Sequence, residues 1–129
     1  MICQMIVAVA AKFSLPALLL SAVIHQESHF NPKAINVKAP IASYGIGQLT
    51  KATAAHHCGI KESELLDLRK NLECSAKVLA YQFRRYKGDF DKTMSAYNAG
   101  TYTPKNHEYV RLVKYRMQQN YCGVANEST

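Results

Sequence analysis

The order of apolar and polar positions along the chain predicts a succession of helices separated by short turns. The opening stretch, MICQMIVAVAAKFSLPALLLSAVI, is apolar almost throughout, yet Lys12 interrupts it and Pro16 breaks it again. No Lys or Arg precedes the apolar run, as the leading region of a signal peptide would require. Two short helices joined at 13–15 fit better. Ser14, with Pro16 just inside, opens the second, which runs to about Ser28 and is closed by Phe30-Asn31-Pro32. On this reading the chain carries no export signal and no transmembrane segment.

Residues 30–47 contain Pro32, Pro40, Gly45 and Gly47 and read as a loop with room for a short strand or hairpin. Thr50 is placed to cap a helix to about His57, ended by Gly59, and a short helical turn follows at 62–66. Leu72, Ala76, Leu79, Phe83 and Tyr86 recur at helical spacing, and Gly88 stops that element. Asp89 is expected to cap a helix with Phe90, Met94 and Tyr97 on its inner face, ending at Gly100. Asn106 is expected to cap a last helix that buries Val110, Val113 and Met117. No strand pattern exceeds a few residues, and no repeat is present. The expected fold class is all-α, mainly helical, in one domain over 1–129, with an ordered core to about 122 and a frayed polar tail at 123–129.

Composition adds two constraints. Sixteen Lys and Arg against nine Asp and Glu give a net charge of +7. An anionic partner or a solvated basic surface would each account for it. A nucleic-acid-binding helical module has only this charge in its favour, because no helix is dense in base-reading Arg and Asn. Cys3, Cys58, Cys74 and Cys122 permit two disulfides in three connectivities, or four reduced thiols. Joining the termini and closing the local 58–74 segment is the economical arrangement, and it would imply an oxidising compartment.

Candidate chemistry centres on HQESH at 25–29. His25 and His29 share a helix face, but Glu27 lies about 200° round from both, so it cannot serve a metal they might hold. His56 and His57 diverge as neighbours, and the cysteines lack C-x-x-C spacing, so no metal site is expected and the histidines read as solvated or capping. Glu27 instead continues the stripe Leu20, Val23, Ile24 in the last turn of its helix. Desolvation and the negative helix end both raise a carboxyl pKa there, as a general acid requires. G-x-S-x-G is absent, and Cys58 beside His57 does not face it, which leaves glycoside cleavage as the fitting chemistry.

Reading on from Glu27, ESHFNPKA at 27–34 resembles the E-S-x-F-N-P-x-A signature of the lytic transglycosylases of soluble-lytic-transglycosylase type. SYGIGQL at 43–49 resembles their A-x-G-L-M-Q-I segment, AYNAG at 96–100 matches A-Y-N-A-G, and Tyr109-Val110 with Val113 resembles the closing Y-V-x-x-V. The resemblance implies a lysozyme-like fold and cleavage of the β-1,4 bond between N-acetylmuramic acid and N-acetylglucosamine, leaving 1,6-anhydromuramic ends. Glu27 would be general acid and then base, with no metal and no cofactor. Ser43, Tyr44 and Gln48 would line the sugar groove, Tyr97 and Asn98 would floor it, and Tyr109 would hydrogen-bond Glu27. The implied partner is the peptidoglycan glycan strand, met by a monomer in the periplasm, outside the cell or on a virion. Gly47 stands where the family usually has Met, which would remove a side chain packing on the sugar. Lys105 replaces a common Glu, and the short 100–106 connection suggests a more open groove. A goose-type hydrolytic muramidase would need a further carboxylate after Glu27, and residues 30–60 contain no Asp or Glu.

Overall fold

The computed structural model describes residues 1–37 and 41–125. Pro40 of the expected loop, and Glu127 with the end of the expected tail, lie outside the described residues.

Among those described, six α-helices form: α1 (Ile2–Lys12), α2 (Ala17–Ser28), α3 (Lys51–Cys58), α4 (Leu68–Arg85), α5 (Phe90–Ala99) and α6 (His107–Gln119). Two-residue strands β1 (Ile35–Asn36) and β2 (Ser43–Tyr44) pair antiparallel, Ile35 opposite Tyr44, and give the hairpin after α2. Short 3₁₀ turns lie at Glu62–Glu64 and Pro104–Asn106.

α2 is the centre of the fold. Leu18 through His25 are all buried, so this helix is covered all round rather than along one stripe. It packs on α6 and α1, while α4 packs on α5, α3 and α1. The main core joins Leu20, Val23 and Ile24 of α2 to Ile6, Leu72, Leu79, Met94 and Val113. A smaller cluster of Leu49, Ala54, Leu65, Cys74 and Val78 lies under α3. No helix among the described residues is long and apolar enough to cross a membrane.

Several caps form as expected. Thr50 Oγ1 accepts from Thr53 N at 3.1 Å, Asp89 Oδ1 accepts from Lys92 N at 3.0 Å, and Gly59 and Gly100 end their helices in the left-handed region. Others differ. Ser14 does not cap α2: it sits at φ 57° in the turn that closes α1, and Pro16 takes the cap position because its extended backbone, φ −62° and ψ 131°, suits it. Tyr86 falls just beyond α4, where its hydroxyl accepts from Tyr102 N at 2.8 Å instead of entering the core. Asn106 precedes α6 but does not cap it, because its amide donates to Ser95 O at 3.1 Å and Asn98 Oδ1 at 3.0 Å.

The cysteines form Cys3–Cys122 and Cys58–Cys74, the economical pairing of the three open from the sequence. His25 is not solvated: it is buried, stacked 5.0 Å from Phe30 and 5.5 Å from Tyr121, with Nδ1 lacking a partner among the described residues. Just beyond Gly123, Val124 O accepts from Asn120 Nδ2 at 2.9 Å and Val124 N donates to Asn120 Oδ1 at 3.1 Å. His29 is the exposed left-handed residue that ends α2.

Candidate active site

The end of α2 and the start of the hairpin explain why this stretch of sequence is so specific. Ser28 Oγ donates to Ile46 O at 2.7 Å and so ties the helix end to the 45–48 turn. Asn31 Oδ1 accepts from Lys33 N at 2.9 Å, which turns the chain through Pro32. Ala34 O then accepts from Gly45 N at 2.7 Å and Gln48 Nε2 at 3.2 Å. Each side chain spends its polar atoms on fixing the loop beside Glu27.

α4 holds that turn from the other side. Buried Asn71 donates to Tyr44 O at 3.0 Å and Leu65 O at 2.8 Å, and accepts from Gly47 N at 3.0 Å and Ser75 Oγ at 3.1 Å. Gly45, at φ 78°, lies so close that a Cβ would come within 2.2 Å of the Asn71 amide. At Gly47 a Cβ would meet Ser75 Oγ at 1.8 Å. A Cβ there would also lie 3.1 Å from the Tyr97 hydroxyl. Glycine is required by the close approach of Ser75.

Glu27 lines a groove of about 490 Å³ together with residues of the hairpin, α3, α4 and the end of α5. Tyr109 donates from its hydroxyl to Glu27 Oε2 at 2.5 Å, across 82 positions of sequence. Burial pushes the Glu27 carboxyl up to about 7, against the lowering effect of that bond. Burial, and then the charge of Glu27, hold the phenols of Tyr97 and Tyr109 above their ordinary value, so both remain donors. Tyr97 uses its hydroxyl on Gly47 O at 3.0 Å.

Of the residues expected at the site, Glu27, Ser43, Gln48, Tyr97 and Asn98 line this groove, and Tyr109 reaches it through Glu27. Ser43 Oγ donates to Gln48 Oε1 at 2.9 Å, and Asn98 Oδ1 is held by Asn106. Tyr44 is the exception. Its ring packs on the small cluster under α3, with Lys51 Nζ 5.6 Å from its centroid, and it is not among the groove-lining residues. In a two-residue strand whose neighbour Ser43 faces the groove, alternation turns Tyr44 the other way.

Ser28, Asn71, Ser75, His57 and Gln82 were not singled out by the sequence as part of the site. Asn71, Ser75 and Gln82 interrupt the apolar face of α4, and polar residues on a buried face are the signal that would have found them. Among the described residues no other carboxylate lines the groove. Asp67 and Asp89 cap helices, and Glu62, Glu64, Glu73, Asp91 and Glu108 pair with Lys51, Lys70, Lys12, Lys114 and Arg111. Among the described residues no three His, Cys, Asp or Glu side chains are grouped as metal ligands.

The helices thus present one half-buried acid, Glu27, to a groove. The family model of the transglycosylase SLT domain matches residues 4–118, and this chain belongs to that family. The soluble lytic murein transglycosylase of Escherichia coli (strain K12) is 30% identical over 86 residues, which are 61% of this chain and 13% of that protein. The chain therefore spans about an eighth of the length of that curated relative. An inactive mutant of lytic transglycosylase Slt from Pseudomonas aeruginosa superposes with a TM-score of 0.77 at 20% identity, covering 91% of this chain and 23% of that one. The 70 kDa soluble lytic transglycosylase of Escherichia coli gives 0.66 at 23% identity, covering 91% and 19%. The fold is lysozyme-like, as these superpositions require.

Proposed function

We propose that this chain is a peptidoglycan lytic transglycosylase, one domain acting as a monomer on glycan strands of the cell wall. It cleaves the β-1,4 bond between N-acetylmuramic acid and N-acetylglucosamine and leaves a 1,6-anhydromuramic end. The observation that carries this is Glu27, a carboxyl pushed up to about 7 and, among the described residues, the only acid lining the groove. At neutral pH a large share of it holds the proton a leaving group needs.

In the first step Glu27 gives that proton to the glycosidic oxygen as the bond to the muramic C1 breaks. The acetamido group of the muramic sugar supports the positive charge that develops at C1, which removes the need for a second carboxylate. Glu27, now ionised, takes the proton of the 6-hydroxyl while that oxygen bonds to C1, and the acid is regenerated. Tyr109 occupies Oε2 throughout, so Oε1 carries the proton. Ser43, Gln48, Tyr97 and Asn98 provide polar contacts along the groove. Such a substrate is met in the periplasm, outside the cell or from a virion.

Glu27→Gln removes the proton and little volume. Clearing of a wall suspension is expected to stop while the circular dichroism spectrum is kept; activity within a few-fold of wild type sinks the assignment. Mass spectrometry of the wild-type products separates the anhydro from the hydrolytic reaction, since their sugar ends differ by one water.

A further inference from the structure

The groove holds a buried polar side chain that the reaction above leaves unused. Gln82, on α4, is 3% exposed and lines the groove with Val78 one helical turn before it. Arg85 Nη1 lies 3.4 Å from Gln82 Oε1. A guanidinium has donors only, so the amide oxygen must face Arg85 and the NH₂ must face the other way. Arg85 is itself anchored, donating to Gly100 O at 3.1 Å and to Thr101 Oγ1 at 3.0 Å. The amide is thus locked in one orientation, and its NH₂ has no acceptor among the described residues.

The NH₂ is not among the buried unpartnered atoms, so it opens on the groove, where a bound molecule can replace water as its acceptor. Val78, Ala96 and Ala99 add apolar surface to the same groove. A fixed donor that shares a groove with small apolar side chains matches an N-acetyl group, which presents a methyl and a carbonyl oxygen together. We propose that Gln82 is a substrate-recognition residue whose NH₂ donates to the carbonyl oxygen of an N-acetyl group on the bound glycan, with Arg85 as the residue that orients it. This rests on the glycan-cleaving reading of the groove. Gln82 lies seven residues along α4 from Ser75, which underlies Gly47 near Tyr97, so the contact falls about 10 Å from the acid's end of the groove. It selects a sugar removed from the bond being cut.

The test uses Glu27→Gln as a non-cleaving parent and measures, by calorimetry, its affinity for a fully N-acetylated glucosamine oligomer and for the same oligomer de-N-acetylated. Adding Gln82→Met is expected to weaken binding of the acetylated oligomer roughly tenfold and to leave the other unchanged, so that the preference collapses. Arg85→Met, which changes no groove-lining side chain, is expected to reduce the preference in the same direction by freeing the amide. If Gln82→Met fails to fold, the Arg85→Met ratio decides. Equal weakening for both oligomers, or an unchanged ratio in a folded variant, overturns the proposal and leaves water as the occupant of that donor. A parent that binds neither oligomer removes the glycan reading itself, and this inference with it.

Discussion

At Glu27 two effects of position act together. The carboxyl sits in the last turn of α2, where the helix end disfavours negative charge, and it is surrounded by protein. Its folded value of about 7 exceeds the ordinary 4.5, so the folded state keeps a proton that the unfolded state releases between those values. The contribution of Glu27 to stability is therefore fully present below about pH 4.5 and is lost as pH rises through 7, by at most about 3 kcal/mol. Glu27→Gln is expected to be more stable than wild type at pH 8 and little different at pH 4, by thermal melts at both. Tyr109→Phe keeps the ring and deletes a bond to this acid, worth about 1.5–3 kcal/mol. Activity is expected to fall roughly one to two orders of magnitude with stability nearly unchanged. Because the bond lowers the Glu27 pKa, its loss should also move the alkaline limb of the rate profile upward. A fully active variant with an unshifted profile would reduce Tyr109 to packing.

Among the elements, the contact between the 45–48 turn and α4 decides the shape of the groove. Gly47 O receives the Tyr97 hydroxyl, Gly47 N is held by Asn71, and Ser75 fills the space where a Cβ would stand. The Ser75 hydroxyl is engaged with Asn71 O at 2.8 Å and cannot swing away freely. Gly47→Ala is expected to destabilise by about 1–3 kcal/mol through overpacking and to lower activity by displacing Tyr97. Adding Ser75→Gly should recover part of the stability, even though glycine inside a helix costs about 1 kcal/mol. A urea double-mutant cycle measures this coupling; additive losses would show that the two positions do not compete for one space.

Across the whole molecule, the disulfides complete what a small core begins. Cys3–Cys122 joins α1 to the segment after α6 with a separation of 119 residues, and Cys58–Cys74 joins α3 to α4 with a separation of 16. The chain-entropy model gives about 5 and about 3 kcal/mol for closing loops of those lengths. The effects on function should differ from the effects on stability. α3 buries only Ala54, yet it forms one wall of the groove, so its bridge holds a wall that packing alone supports weakly. Replacing Cys58 and Cys74 by Ser is expected to raise KM for glycan as well as lower the melting temperature. Replacing Cys3 and Cys122 should lower the melting temperature and leave KM alone. Equal KM values for the two variants would mean that the Cys58–Cys74 bridge has no part in shaping the groove.

The sequence by itself determined what acts over one or two helical turns. The spacing of Leu72, Ala76 and Leu79 marked α4, Thr50 and Asp89 marked the starts of α3 and α5, and the position of Glu27 at the end of an apolar stripe marked a carboxyl of raised pKa. These are local matters of periodicity and capping, and local neighbours settle them. What the tertiary structure decided depends on segments meeting from far along the chain. Tyr97 meets Gly47 across 50 positions, and Tyr109 meets Glu27 across 82, a contact that the family resemblance implied but no local pattern did. The burial of His25 under Tyr121, the turning of Tyr44 away from the groove, and the four hydrogen bonds of Asn71 follow from such meetings. Nothing in a residue's near neighbours states which distant group will satisfy its polar atoms, because that is fixed only when the helices pack and water is excluded between them.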